Sequence, residues 1–221
     1  MKFELAIFDC DGVLIDSELL ANRIDVECLQ ALGIEIDLDD YIAEYVGKSA
    51  VAVSHSIEER YTVQLPGDFW SQVEQKTLKQ FQAELQPIPH VVELLTVLNK
   101  KCVASSSSAD RLNRTLGMTG LYKYFSPHIF SAEQVRHGKP APDLFLFAAQ
   151  QMQVNPQDCV VIEDSCHGVQ AGIDAGMTVV GFSGGSHIRS GHLDKLMDAG
   201  AAMVFADMGS LFAGLSQLVP Q

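Results

Sequence analysis

Two aspartates two positions apart, Asp9 and Asp11, follow directly on the apolar run Leu5-Ala6-Ile7-Phe8 and lead at once into Gly12. Carboxylates that close repel one another unless a cation or a shared proton lies between them. The pattern suits a Mg²⁺ site or, more sharply, a nucleophile with its own acid beside it. A carboxylate can attack phosphorus and form an aspartyl-phosphate, which divides one hard displacement into two easier ones. Nucleophile and phosphate are both anionic, so this chemistry needs a neutralising cation, and Mg²⁺ takes one or two carboxylates together with phosphate oxygens and waters. Asp9 and Asp164 suit that role, with Glu163 nearby, and Asp11 is placed to give a leaving alkoxide its proton. Such acid–base help is typically worth about 10²- to 10⁴-fold. Phosphoryl transfer is otherwise positioning and charge stabilisation. Ser105 offers a hydroxyl, and the amides after it offer N–H donors. Lys139, in Gly138-Lys139-Pro140-Ala141-Pro142-Asp143, is a point charge in a loop stiffened by two prolines.

Those residues must be positioned by strands. Leu5 to Phe8 reads as a buried strand ending at Asp9, Cys102-Val103-Ala104 as one running into Ser105–Ser108, and Cys159 to Ile162 as one ending in Glu163-Asp164. Ile129-Phe130, Val179 to Phe182 and Met203 to Phe205 read as further strands. Helical patterns fall between them at His90–Asn99, Ala109–Leu116, Asp143–Met152 and Gly168–Ala175. Strands alternating with helices imply an α/β fold with a parallel sheet covered on both faces. In such sheets ligands bind beyond the carboxyl ends of the strands, which is where the candidate residues fall.

The stretch between the first strand and the rest reads as all-helical. Leu20, Ile24, Cys28 and Leu32 share one helical face; Asp39–Val46 makes a short helix; Ser49–Tyr61 carries Val53, Ile57 and Tyr61, and Asp68–Glu84 carries Phe69, Val73, Thr77 and Phe81. The Pro-marked connector Leu85–His90 closes the block. The expected division is a catalytic core of residues 1–16 and 86–221 and a helical domain of residues 17–85 placed to act as a lid.

The chain has 221 residues and a formal net charge of −13. That charge argues against a nucleic-acid partner, which calls for clustered Lys and Arg, and leaves a small phosphorylated substrate open. The five cysteines form no Cys-x-x-Cys pair, which fits a reducing compartment. There is no signal-peptide pattern and no apolar stretch of membrane-span length. The expectation is a cytoplasmic protein with no membrane partner.

Four motifs in order carry a resemblance: Asp9-Cys10-Asp11-Gly12-Val13-Leu14-Ile15-Asp16-Ser17, Val103-Ala104-Ser105-Ser106, Lys139-Pro140-Ala141-Pro142-Asp143 and Val161-Ile162-Glu163-Asp164-Ser165. The chain resembles the haloacid dehalogenase-like superfamily, in its phosphatase and β-phosphoglucomutase branch, over essentially its whole length. The resemblance implies a Rossmann-like core with an inserted helical cap. It implies Asp9 as nucleophile and Mg²⁺ ligand, and Asp11 as general acid/base with its backbone carbonyl on the metal. Ser105, Ser106 (through its amide) and Lys139 would bind phosphate, and Asp164 with Glu163 would complete the metal site. Gly47-Lys48-Ser49 resembles the family's substrate-specificity loop, where Lys48 touches a substrate anion or is simply solvated. Arg23 and Asn22 are weaker candidates from the first cap helix.

Several residues read as structural. Ser107 and Ser108 read as helix caps, Asp16 and Ser17 as the exit toward the cap. His187 and His192, flanking a Gly/Ser-rich loop, read as surface residues. The leading function is a Mg²⁺-dependent phosphatase acting on a small sugar phosphate or phosphorylated sugar acid, as a monomer. A β-phosphoglucomutase-like mutase is the alternative, disfavoured because Ala21 and Ala50 stand where the mutase has histidine and arginine. Asp11 argues against a dehalogenase, and the offset of Lys48 against a phosphonate hydrolase. A non-catalytic receiver-like phospho-switch is disfavoured by the Asp-x-Asp spacing and the helical insertion.

Overall fold

The computed structural model describes residues 3–46 and 50–218. The chain divides into two compact units, one running to Asp16 and resuming at Gln86, the other covering Ser17–Leu85.

The first unit is built on six parallel strands: β1 (Leu5–Phe8), β2 (Lys101–Ser105), β3 (Ile129–Ser131), β4 (Cys159–Glu163), β5 (Thr178–Phe182) and β6 (Met203–Phe205), in the order β3-β2-β1-β4-β5-β6. Every residue of β1 and β4 is buried, the mark of strands covered on both faces. From β1 the chain winds outward through β2 to β3, then returns to β4 on the other side of β1. The sheet therefore reverses direction between β1 and β4, and ligand sites in such sheets form outside the carboxyl ends at that switch point. Register sets the rest. Phe8 pairs with Val103 of β2 and Ile162 of β4, and the Asp9 amide donates to the Ile162 carbonyl at 3.0 Å. Asp9 is thus level with the end of β4, where Glu163 and Asp164 begin.

The second unit is helical: α1 (Glu18–Ala31), α2 (Leu38–Tyr45), α3 (Ala50–Tyr61) and α4 (Phe69–Glu84). Its core gathers Ile24, Leu29, Tyr41, Tyr45, Ile57, Phe69 and Val73, among others. Asp37 caps α2 by accepting from the Asp40 amide at 2.8 Å, and the Tyr41 hydroxyl donates to Asp25 of α1 at 2.9 Å. On α4 the residues spaced for one face, Phe69, Val73, Thr77 and Phe81, are the buried ones. On α1 the pattern differs at its end: Leu32 lies past the last turn and is exposed.

Among the described residues, seven further α-helices belong to the sheet unit: α5 (Val91–Val97), α6 (Ala109–Met118), α7 (Tyr122–Phe125), α8 (Asp143–Gln151), α9 (Cys166–Asp174), α10 (His192–Asp198) and α11 (Met208–Leu218). On one face Leu5, Ile7, Cys102, Ala104 and Val161 pack with Leu144, Phe145 and Ala148 of α8 and Val169 and Ala171 of α9. On β1 the alternate residue Phe8 meets Phe125 of α7 edge-on at 6.0 Å. Helix α9 lies so near β5 that a Cβ on Gly172 would fall 2.5 Å from Val179 Cγ2, so only glycine lets helix and strand approach this closely.

Candidate active site

The site begins with the turn after β1. Leu14 and Ile15 donate back to the Cys10 carbonyl, and the Gly12 amide donates to the Ile15 carbonyl at 2.9 Å. The tight loop reverses through Gly12, whose φ of +78° favours glycine. A Cβ there would also stand 1.9 Å from Asp164 Oδ2. The glycine that shapes the loop thereby admits the carboxylate delivered by β4.

Lys139 reaches in from the loop before α8. Its Nζ donates to Asp9 Oδ1 at 2.5 Å and to Glu163 Oε1 at 2.6 Å, with all three side chains buried. Glu163 has a second set of partners. Its Oε2 accepts from the Ser165 amide at 2.9 Å and the Ser165 hydroxyl at 3.0 Å. Ser165 Oγ in turn accepts from the Gly168 amide and caps α9. A Cβ on Gly168 would overlap the Glu163 carboxylate, so the first turn of α9 has a space cut for it.

The charges in this cluster do not cancel. Asp9, Glu163 and Asp164 each bring a carboxylate oxygen within 4.8 Å of the others, against the Lys139 ammonium. Burial pushes the Asp9 carboxyl well above the usual carboxylate range; Lys139 opposes this, while Glu163 and Asp164 add to it. Burial and then Glu163 push Asp164 upward in the same way, again against Lys139. Burial alone would lower the Lys139 pKa, but Asp9 and Glu163 outweigh it and raise it, so the ammonium stays charged. Three crowded, buried oxygen donors with excess negative charge suit a hard divalent cation.

Beside this cluster, Ser107 Oγ donates to Asp11 Oδ2 at 2.7 Å. Ser105, buried at the end of β2, accepts from the Ser107 amide at 3.1 Å. Ser131, at the end of β3, donates to the Ser107 carbonyl at 2.7 Å. Ser106 is exposed between them. The structure therefore joins Asp9, Lys139, Glu163 and Asp164 in one buried cluster, and Asp11 to the Ser105–Ser107 turn. Lys48 lies outside the described residues.

Two readings from sequence need correction. Ser108 caps α6, accepting from the Arg111 amide, but Ser107 turns inward to Asp11. His187 is not a surface residue: it is 4% exposed, with Nε2 3.2 Å from Asp164 Oδ2. His192 is half-buried and donates from Nε2 to the Asp164 carbonyl at 2.6 Å. Burial holds its pKa below the usual imidazole value. The available signal was the pair of glycines before Ser186-His187, which permit close backbone approach.

The chain is similar to known proteins in sequence and in structure. A family model described as haloacid dehalogenase-like hydrolase matches residues 3–176. The 6-phosphogluconate phosphatase of Escherichia coli is 30% identical over 188 residues, 84% of this chain and 85% of that protein. The fructose-1-phosphate phosphatase YqaB of the same organism is 31% identical over 177 residues, 79% and 93% of the two chains. Among solved structures, a conserved haloacid dehalogenase-like protein of unknown function from Agrobacterium tumefaciens superposes with a TM-score of 0.89 at 36% identity, covering 97% of this chain and 98% of that one.

Proposed function

The chain belongs to the haloacid dehalogenase-like hydrolases, and from that membership we propose that it is a Mg²⁺-dependent phosphatase of small sugar phosphates or phosphorylated sugar acids. The observation that carries the proposal is Asp9. Its carboxylate is fixed by Lys139 at 2.5 Å inside a cluster that also holds Glu163 and Asp164, beside a second aspartate that Ser107 orients. The sugar class follows from the relatives, a 6-phosphogluconate phosphatase and a fructose-1-phosphate phosphatase.

In the first step an Asp9 oxygen forms a bond to phosphorus while the bond to the ester oxygen breaks. Asp11, protonated, gives its proton to the departing alkoxide. In the second step a water oxygen attacks the phosphorus of the aspartyl-phosphate, Asp11 takes the water's proton, and the Asp9 carboxylate leaves, releasing phosphate. Lys139 holds Asp9 in one orientation throughout, so the nucleophile needs no reorganisation before attack. Ser105, with the amides that follow it, is assigned to the phosphate oxygens. Asp9 and Asp164 would hold Mg²⁺, with the Asp11 carbonyl completing the protein's share. Glu163 has both oxygens engaged by Lys139 and Ser165, which suits it to bracing the lysine. Bound there, the metal would neutralise charge on the nucleophile and the transferring phosphoryl group.

The test is phosphate release from a panel containing 6-phosphogluconate, fructose 1-phosphate and hexitol phosphates, with Mg²⁺ or with a chelator. Mg²⁺-dependent release that Asp9→Asn abolishes is expected. Turnover surviving that substitution, or no release from any sugar phosphate, would overturn the proposal. Formation of glucose 6-phosphate from β-glucose 1-phosphate with a bisphosphate primer would replace it with a mutase.

A further inference from the structure

The segment from the end of β5 to the first residue of α10 lies outside all four motifs, yet it touches Asp164, just past the end of β4, at two places. His187 Nε2 stands 3.2 Å from the Asp164 carboxylate, and His192 Nε2 donates to the Asp164 backbone carbonyl at 2.6 Å. The two rings meet edge-on with centroids 6.5 Å apart. Asp164 is thus held through its side chain and its main chain by one short stretch.

The His187 ring has little freedom. A Cβ on Gly12 would lie 2.9 Å from its Cε1, and a Cβ on Gly185 would lie 2.8 Å from the ring and 3.1 Å from the Gly12 carbonyl. The imidazole therefore fills a slot bounded by Gly12, Gly185 and the Asp164 carboxylate. The segment is also fastened at its base. Asp16 Oδ1 accepts from the Ser186 amide at 2.9 Å and from the Ser186 hydroxyl at 2.8 Å. Arg189 Nη1 donates to the carbonyls of Ser186 and His187 at 3.2 and 3.1 Å. Asp16 belongs to the same loop as Asp9 and Asp11, so the fastening ties the segment to the turn that carries the nucleophile.

We propose that the β5–α10 segment is a clamp on the metal-binding carboxylate, with His187 a positioning residue that presets the orientation of Asp164. The proposal rests on the reading of Asp164 as a metal ligand. Partners that orient a ligating side chain typically change metal affinity about 10- to 100-fold when removed. A buried aromatic plug with no other duty would affect folding and leave the affinity of the folded protein alone.

The experiment is titration of the full chain with Mn²⁺, reading free Mn²⁺ by electron paramagnetic resonance, with thermal melting as a control for folding. His187→Ala should weaken Mn²⁺ binding by about 10- to 100-fold, and His187→Gln, whose terminal amide can reach the same carboxylate oxygen, should recover most of it. Wild-type affinity in a folded His187→Ala protein would overturn the proposal, as would a His187→Gln protein no better than alanine. Should His187→Ala not fold, Asp16→Ala provides the second variant. It loosens the fastening without touching the ring, and unchanged Mn²⁺ affinity there would overturn the clamp. A wild-type protein that binds Mn²⁺ while these variants do not differ fails the clamp alone. A wild-type protein that binds neither Mn²⁺ nor Mg²⁺ fails the metal-dependent reading itself, and the clamp with it.

Discussion

Replacing Lys139 by methionine keeps most of the side-chain volume and the contact with Phe145, whose ring centroid lies 4.9 Å from the ammonium. It removes the charge. Asp9 and Glu163, at 2.5 and 2.6 Å from Nζ, are then left buried with Asp164 and without their cation. Breaking a buried ion pair by deleting one partner typically costs about 3–5 kcal/mol, because the remaining charge stays desolvated. For a unit of this size each kcal/mol moves the melting temperature by about 2–4 °C, so the metal-free variant should melt roughly 6–20 °C lower. Scanning calorimetry in a chelator measures this directly. Saturating Mg²⁺ should return part of the loss, since a ligand at 100 times its Kd stabilises by about 2.7 kcal/mol and the carboxylates are then paired again. Turnover should fall about 10²-fold or more even with metal, through loss of the hold on Asp9. A melting shift under about 2 °C in chelator, the scale of an ordinary surface substitution, would refute the reasoning that Lys139 neutralises this cluster.

Other perturbations follow from the same geometry. Gly12→Ala places a Cβ where Asp164 Oδ2 now sits, 1.9 Å away, on a backbone with φ +78°; it should cost about 1–2 kcal/mol for the left-handed conformation alone and sharply weaken Mg²⁺ binding by calorimetry, and normal affinity would contradict the site geometry. Ser107→Ala removes the donor to Asp11. Charge develops on Asp11 as its proton leaves, and a hydrogen bond to a charged group is worth about 1.5–3 kcal/mol, so kcat should drop about 10- to 100-fold with KM little changed, and an unchanged kcat would remove Ser107 from the mechanism. At the start of α11, the Ser210 amide and hydroxyl hold Asp207 below its ordinary value of 3.8. A carboxylate lowered on folding stabilises above its unfolded value and loses that contribution as pH falls through the folded one. Asp207→Ala should therefore melt below the wild type at neutral pH and converge with it in acid, and a gap that persists in acid would count against the cap.

The parts of the molecule legible in the sequence are those governed by local pattern. Leu5–Phe8 and Cys159–Glu163 are continuous apolar runs ended by acids, and runs of that kind become central parallel strands. Strand ends then bring Asp9, Glu163 and Asp164 together from opposite parts of the chain. What stayed hidden depends on tertiary contact. His187 looks like a loop histidine because its neighbours in sequence are glycine and serine; it is buried against Gly12 and the Asp164 carboxylate, both far back in the chain. Ser107 sits in a run of four serines whose roles no spacing separates, and Ser131 of β3 decides which way that turn faces. Helices α10 and α11 form against the outer strands β5 and β6 of the sheet.

The placement of β1 has a consequence for how the protein is made. Ile7 pairs with Cys102 on one side and Val161 on the other, so the central strand leaves the ribosome well before either neighbour exists. At about 5–20 residues per second, the wait for β4 is roughly eight to thirty seconds. During it a fully apolar strand must be kept from pairing with other nascent chains. The helical unit is synthesised in that interval, and its contacts are local, the kind that form fast. The insertion thus falls in the delay between the synthesis of Asp9 and the arrival of the strands that flank β1. A chain cut short before β4 would carry Asp9, Asp11, Ser107 and Lys139 but lack Glu163 and Asp164, the other two carboxylates of the cluster.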